Sequence, residues 1–118
     1  MPHIVLNGKI AIDQIFNNLK PIFSNLDTGI IKTTTLFISK DKNAMLIDSL
    51  SVENEDNYRF FTLINRRSDG IVIRIFPGSE IEKTHGVKKI LGEIAKQILI
   101  INPNITIGKT NLTEYLEK

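Results

Sequence analysis

The chain contains no cysteine among its 118 residues, which excludes disulfides, thiol chemistry and thiolate metal sites. No apolar run approaches the roughly 20 residues of a transmembrane helix. The amino-terminal segment MPHIVLNGK also lacks a charged region followed by a long apolar core, which a secretory signal would require. We therefore expect a cytoplasmic protein that does not enter a membrane.

A strong charge of one sign is absent too. Lysine and arginine number 15 against 13 aspartates and glutamates, for a net charge of +2. Nucleic-acid binders usually carry a dense basic stripe. The balance therefore permits a nucleic-acid partner but does not imply one.

No catalytic or metal-binding signature is visible. His3 and His85 stand alone, without the spacing of paired metal ligands. Gly108-Lys109-Thr110 resembles the end of a phosphate-binding loop, but the glycine required five positions earlier is Pro103. We expect a non-enzymatic protein without cofactor or metal.

The middle of the chain predicts four consecutive strands. With 42% hydrophobic and 24% charged residues, residues 1–118 have the composition of one globular domain. Segments rich in β-branched and aromatic residues alternate with short polar links, which join antiparallel neighbours because a parallel crossover needs a longer connection. The predicted meander consists of Ile31–Ser39, Ala44–Glu53, Tyr58–Arg66 and Ile71–Phe76.

Two helices are predicted to flank this meander. The first covers about residues 12–24 and ends or kinks near Lys20, because Pro21 disfavours helical backbone before it. The second begins at a capping box formed by Ser79 and Glu82, or later at Gly86, and ends before Pro103.

Shorter elements are predicted at the two ends of the chain. His3–Asn7 has the pattern of a strand, Ile105–Ile107 of another, and residues 110–117 of a short helix. The whole is an α+β two-layer sandwich of order β-α-β-β-β-β-α with a small β/α tail. Its sheet is antiparallel, and both helices are expected on one face.

This order of elements is similar to one half of the TATA-box-binding protein and, more distantly, to helix-grip ligand-binding domains. The similarity covers roughly residues 3 to 102 and is one of topology, so it transfers no functional residue. It implies helices on one face of the sheet and a curved, apolar, ligand-facing surface on the other. Two copies would then complete a saddle.

The face that each side chain occupies depends on the last hairpin. If Arg67-Ser68-Asp69-Gly70 is a type I turn closed by a left-handed glycine, Arg67 lies opposite Ile71. Alternation then assigns a helix-covered face to Leu36, Ile38, Leu46, Leu50, Val52, Phe61, Leu63, Ile71, Ile73 and Ile75. The binding residues predicted on the opposite face are Thr33, Thr35, Phe37, Phe60, Thr62, Arg66, Arg74 and Phe76.

Asp48 does not fit this assignment, because it falls on the covered side between Leu46 and Leu50. Either it lies near a strand end beside a partner such as Lys32, or the register is wrong by one residue. Asp48 is therefore the residue that tests the assignment.

Three functions remain open for the uncovered face. The first is self-association as a homodimer, which buries an apolar patch without a further ligand. The second is a platform for nucleic acid or an anionic ligand, with phenylalanines supplying contact area and arginines binding anionic groups. The third is a cavity between the sheet and the second helix that encloses a small hydrophobic molecule.

Overall fold

The fold is built on one seven-stranded antiparallel sheet, seen in a computed structural model that describes residues 1–78 and 80–117. The sheet is curled, and two helices accompany it. The strands are β1 (His3–Asn7), β2 (Phe23–Leu26), β3 (Gly29–Ile38), β4 (Ala44–Glu53), β5 (Asp56–Arg67), β6 (Gly70–Ile75) and β7 (Thr106–Thr110). Their order in space is β2-β3-β4-β5-β6-β1-β7.

The predicted meander is confirmed as β3 to β6, with each strand paired to its sequence neighbour. The amino-terminal strand β1 closes the far side of the meander against β6. The structure therefore confirms the α+β class and the antiparallel sheet.

The first helix, α1 (Ile12–Asn18), is shorter than predicted. Leu19 already has extended backbone, and after Pro21 the chain continues as the edge strand β2 instead of helix. The predicted break near Lys20 is confirmed, but the helical assignment of Ile22 and Phe23 is wrong. Proline cannot supply the helical N–H, and the residue before it avoids helical backbone.

The second helix, α2 (His85–Ile101), begins later than its predicted capping box. Residues 80–84 are not helical, and Ser79 lies outside the described residues. Thr84 is the N-cap, and its Oγ1 accepts a hydrogen bond of 3.2 Å from the N–H of Val87. The late start near Gly86 is therefore correct. No helix in the described part of the chain is long and apolar enough to cross a bilayer.

The carboxyl-terminal segment adds a strand but almost no helix. β7 pairs with β1 and forms the second edge of the sheet. The helix predicted over residues 110–117 is wrong, since only a single 3₁₀ turn, Thr113–Tyr115, forms there.

Both helices pack on the same face of the sheet, and the core lies between the two layers. Ile12 and Ile15 of α1 join the apolar side of α2 in one cluster with the sheet. The sheet residues fully buried beneath them are Ile4, Leu6, Ile31, Met45, Ile47, Ile64, Ile71 and Ile73.

The register of the β5–β6 hairpin differs by one residue from the prediction. Arg67 lies opposite Gly70 and Arg66 opposite Ile71, so the connection is a two-residue loop of Ser68 and Asp69. A one-residue slip moves every side chain of a strand to the other face. The predicted faces of β4 and β5 are therefore reversed, whereas the face of β6 is correct, since Ile71 and Ile73 are buried.

Candidate functional site

The side of the sheet away from the helices is apolar at its centre and is not covered by any part of the described chain. We call it the open face. Its side chains include Val5, Phe23, Ile30, Lys32, Phe37, Leu46, Asp48, Leu50, Val52, Arg59, Phe61, Leu63, Asn65, Val72, Arg74 and Phe76.

Four phenylalanines stand exposed on the open face. Phe23 is 70% exposed, Phe37 49%, Phe61 38% and Phe76 41%. Taking about 200 Å² for a whole phenylalanine, the four residues together leave about 400 Å² uncovered. The half-buried leucines between them extend this patch. Patches of roughly this size on a monomer are often interaction sites.

Two of the phenylalanines, Phe37 and Phe76, border a shallow hollow. Phe37 and Phe61 pack edge to face, with ring centroids 6.1 Å apart. Beside them lies a hollow of about 290 Å³ whose apolar walls include Phe37, Leu46, Leu63 and Phe76. An apolar side chain of a partner would fit there.

Among the described residues, Asp48 is the one carboxylate of the open face, and it is paired within the face itself. Asp48 Oδ2 lies 3.0 Å from Arg59 Nη2, on the neighbouring strand. On its other side Asp48 lies opposite a β-bulge, where Thr34 and Thr35 together occupy the place of one residue. Asp48 is thus on the open face, and the interpretation that the register is wrong by one residue is correct.

Two polar atoms of the open face lack a partner. Arg74 Nε and Asn65 Oδ1 are buried among their neighbours without a hydrogen bond to any described residue. Lys32, Arg59 and Arg74 outnumber the single carboxylate Asp48 on this face. The face is therefore apolar at its centre with an excess of positive charge.

Three of the predicted binding residues lie on the open face, and a fourth lies at its bulge. Phe37, Phe76 and Arg74 belong to the open face as predicted, and Thr35 is exposed at the bulge. The structure brings the first three close to Leu63, which lies directly opposite Arg74.

The other four predicted residues are on the helix side, which corrects the prediction. Thr33, Phe60 and Thr62 are buried there, and Arg66 shares their side at the exposed end of β5. Thr33 Oγ1 accepts a hydrogen bond of 2.9 Å from the N–H of Ile22. Thr33, Phe60 and Thr62 therefore contribute to the core, not to a binding surface.

Sequence reasoning missed Phe23, Phe61, Leu46 and Leu63 as members of the open face. Phe23 was assigned to a helix, and the other three followed the incorrect register. One signal could have found them. Asp48 alternates with Leu46 along β4, so placing the carboxylate in solvent places this leucine on the open face.

A second polar cluster joins the helix layer to the sheet at Glu53. Its carboxylate accepts hydrogen bonds from Ser51 Oγ at 2.8 Å, from the N–H of Gly86 at 3.2 Å and from Thr84 Oγ1. Partial burial opposes ionisation, but these donors hold the pKa of Glu53 below its ordinary value of 4.5. Glu53 thus caps α2 from a strand.

At the same helix start, His85 and Tyr115 form the pair of side chains that most resembles a reactive pair. His85 Nδ1 lies 3.1 Å from the hydroxyl of Tyr115, and burial together with Glu114 and Glu53 raises the pKa of that hydroxyl. No group of three or more histidines, aspartates and glutamates is placed to hold a metal within the described residues.

Comparison of the chain with protein-family models, with curated proteins and with solved structures gave no match, so the argument for function is a physical one.

Proposed function

We propose that this chain is a non-enzymatic domain that binds a second copy of itself through the open face. The observation that carries the proposal is the group of four exposed phenylalanines on one face of the sheet. Burying such a patch against an identical one removes apolar area from water on both partners.

The dimensions of the open face support a stable interface. The central strands contain 10 and 12 residues. At about 3.3 Å per residue and 4.8 Å between strands, the face measures about 30 Å in each direction. Standard interfaces bury about 800 Å² on each partner, which this footprint can supply.

The charge on the open face is compatible with a two-fold contact. Asp48 and Arg59 lie side by side near its middle, so a partner related by a two-fold axis can place its own Arg59 against Asp48. The intrachain pair leaves Arg59 largely exposed, with two thirds of its side chain in solvent.

The strand order also supports a finer fold assignment. We infer that the chain is arranged like one half of a TATA-box-binding protein, or like a helix-grip domain, because β1 joins the sheet beside the last strand of the meander. In the first case two copies would form a continuous saddle. The helix-grip alternative with a ligand cavity has less support, since the apolar side of α2 is fully buried against the sheet.

Sedimentation velocity over a micromolar concentration series tests the proposal. We expect the wild type to form dimers, and Phe37→Ser and Phe76→Ser to weaken dimerisation at least tenfold, because each change acts on both copies. Ile100→Ser is the matched control, since this residue of α2 is exposed and apolar but lies off the open face. A monomeric wild type, or equal weakening by Ile100→Ser, would contradict the proposal.

A second candidate function is the binding of an anionic ligand or nucleic acid by the same face. The buried Arg74 Nε without a partner and the excess of cations favour it. Fluorescence anisotropy with a short labelled oligonucleotide provides the test. Binding that disappears in Arg74→Ala, with an unchanged melting temperature, would support this function, and the absence of binding to the wild type would remove it.

A further inference from the structure

A basic cleft lies at the end of the sheet, outside the open face. It forms where the segment between β1 and α1 crosses the β5–β6 turn, and its volume is about 400 Å³. Lys9, Arg66 and Arg67 contribute positive charge to its walls, while Gln14 and Ser68 contribute neutral polar groups. Arg66, which the sequence predicted on the uncovered face of the sheet, lines this cleft instead.

The backbone around the cleft is held by hydrogen bonds from three parts of the chain. The N–H of Gly8 donates to the carbonyl of Asp69 at 2.9 Å, which fixes the connecting segment on the turn. Asn102 Nδ2 donates to the carbonyl of Lys9 at 3.0 Å from the end of α2. The N–H of Arg66 donates to the carbonyl of Asn43 at 2.8 Å. The residues carrying the three cations are therefore positioned by the fold before any ligand arrives.

The positive charge of the cleft is not neutralised by the protein. Among residues 1–78 and 80–117, no carboxylate lies within 4.0 Å of the charged groups of Lys9, Arg66 or Arg67. Three neighbouring cations repel one another, and a bound anion relieves that repulsion. The nearby Asp69 takes part through its backbone carbonyl, and its carboxylate is not among the lining groups.

The chemistry of the walls indicates the class of ligand. Arg66 lies on the helix side of β5, where Lys9 also lines the cleft, and these two residue types suit a phosphate group because arginine donates two parallel hydrogen bonds and lysine adds a point charge. Arg67, the next residue of the strand, adds positive charge at longer range. The volume of about 400 Å³ falls in the range of sites for small organic molecules and exceeds the need of a lone ion. Ile10 and Ala11 provide an apolar wall for the rest of such a molecule.

We propose that this cleft binds a small phosphate-bearing molecule through Lys9, Arg66 and Arg67. Gln14 and Ser68 lie where they can hydrogen-bond polar groups beyond the phosphate. The cleft contains none of the phenylalanines that form the open face, so phosphate binding and dimerisation can be tested separately.

Isothermal titration with pyrophosphate at constant ionic strength, set with chloride, tests the proposal. We expect saturable binding to the wild type and a loss of at least tenfold in affinity for Arg66→Gln, with smaller losses for Lys9→Gln and Arg67→Gln. Lys83→Gln is the control, because this lysine is exposed and lies away from the cleft, near Lys88 of α2, and should leave pyrophosphate affinity unchanged.

Three results would overturn the proposal. They are no saturable binding of pyrophosphate to the wild type, an equal loss in Lys83→Gln, and binding of a short oligonucleotide where pyrophosphate does not bind. Circular dichroism confirms that each variant folds. If Arg66→Gln does not, Arg66→Lys keeps the charge but removes the paired donors, and the expected tenfold loss applies to it instead.

Discussion

Two adjacent phenylalanines provide the sharpest test of the face assignment. Phe60 is 4% exposed beneath the helices, whereas Phe61 is 38% exposed on the open face. We expect Phe60→Ala to lower the free energy of unfolding by about 3–5 kcal/mol, the usual result of removing a buried ring. The cost of Phe61→Ala to the monomer should be about 1–2 kcal/mol, because its ring contacts neighbours on one side only.

The effect on association should be the reverse. The exposed part of Phe61 is about 80 Å², which corresponds to about 2 kcal/mol per copy when a partner covers it. In a two-fold dimer both copies carry the change, so the binding free energy falls by about 4 kcal/mol. This corresponds to an upper limit of roughly a thousandfold increase in the dissociation constant. Ordering costs reduce the measured value, so we expect a ten- to thousandfold loss.

Two measurements separate these effects. Urea denaturation at protein concentrations below the dissociation constant of the dimer reports the stability of the monomer. Sedimentation velocity at concentrations above that constant reports association. If Phe61→Ala destabilised the monomer as much as Phe60→Ala, the assignment of faces would be wrong. If Phe61→Ala left association unchanged in a dimeric wild type, another surface would form the dimer.

Two further predictions concern the contact between Glu53 and α2. Because the pKa of Glu53 is lowered in the folded state, its contribution exists above pH 4.5 and is lost as the pH falls through the folded pKa. Urea denaturation should therefore show Glu53→Gln less stable than wild type by about 1 kcal/mol at pH 7, with no difference at acid pH; a constant difference would refute the cap. A Cβ added at Gly86 would overlap Ser51 Oγ, so Gly86→Ala should cost about 1–3 kcal/mol despite the helix preference for alanine. Thermal unfolding should show partial recovery when Ser51→Ala is added, and a Gly86→Ala variant as stable as wild type would disprove the close contact.

Local patterns predicted most elements, because those elements depend on residues close in sequence. The four strands of the meander and the long helix α2 follow from composition and spacing alone. The edge strand β2 could not be predicted in this way. It has four residues, and its pairing with β3 is what makes it a strand.

Long-range contacts explain the remaining differences. Glu53 is 31 residues from Thr84, so no local motif indicated that it would cap α2. The turn Arg67-Ser68-Asp69-Gly70 is compatible with loops of two or three residues, and its own sequence does not choose between them. Burial of side chains elsewhere in β4 and β5 decides the register, and with it the identity of the candidate site.

The register of β4 and β5 also explains why the open face is apolar. The register seen places Ser49 and Thr62 in the core, where their hydroxyls form a hydrogen bond of 2.9 Å, and leaves Phe61 exposed. The other register would bury Phe61 but would also bury Asp48 and Arg59, and desolvating an ion pair costs several kcal/mol. Two paired hydroxyls are cheaper to bury than two charges. The monomer therefore folds with aromatic surface left exposed, and under the proposed dimerisation a second copy would cover this surface and recover the apolar burial that the charges prevent.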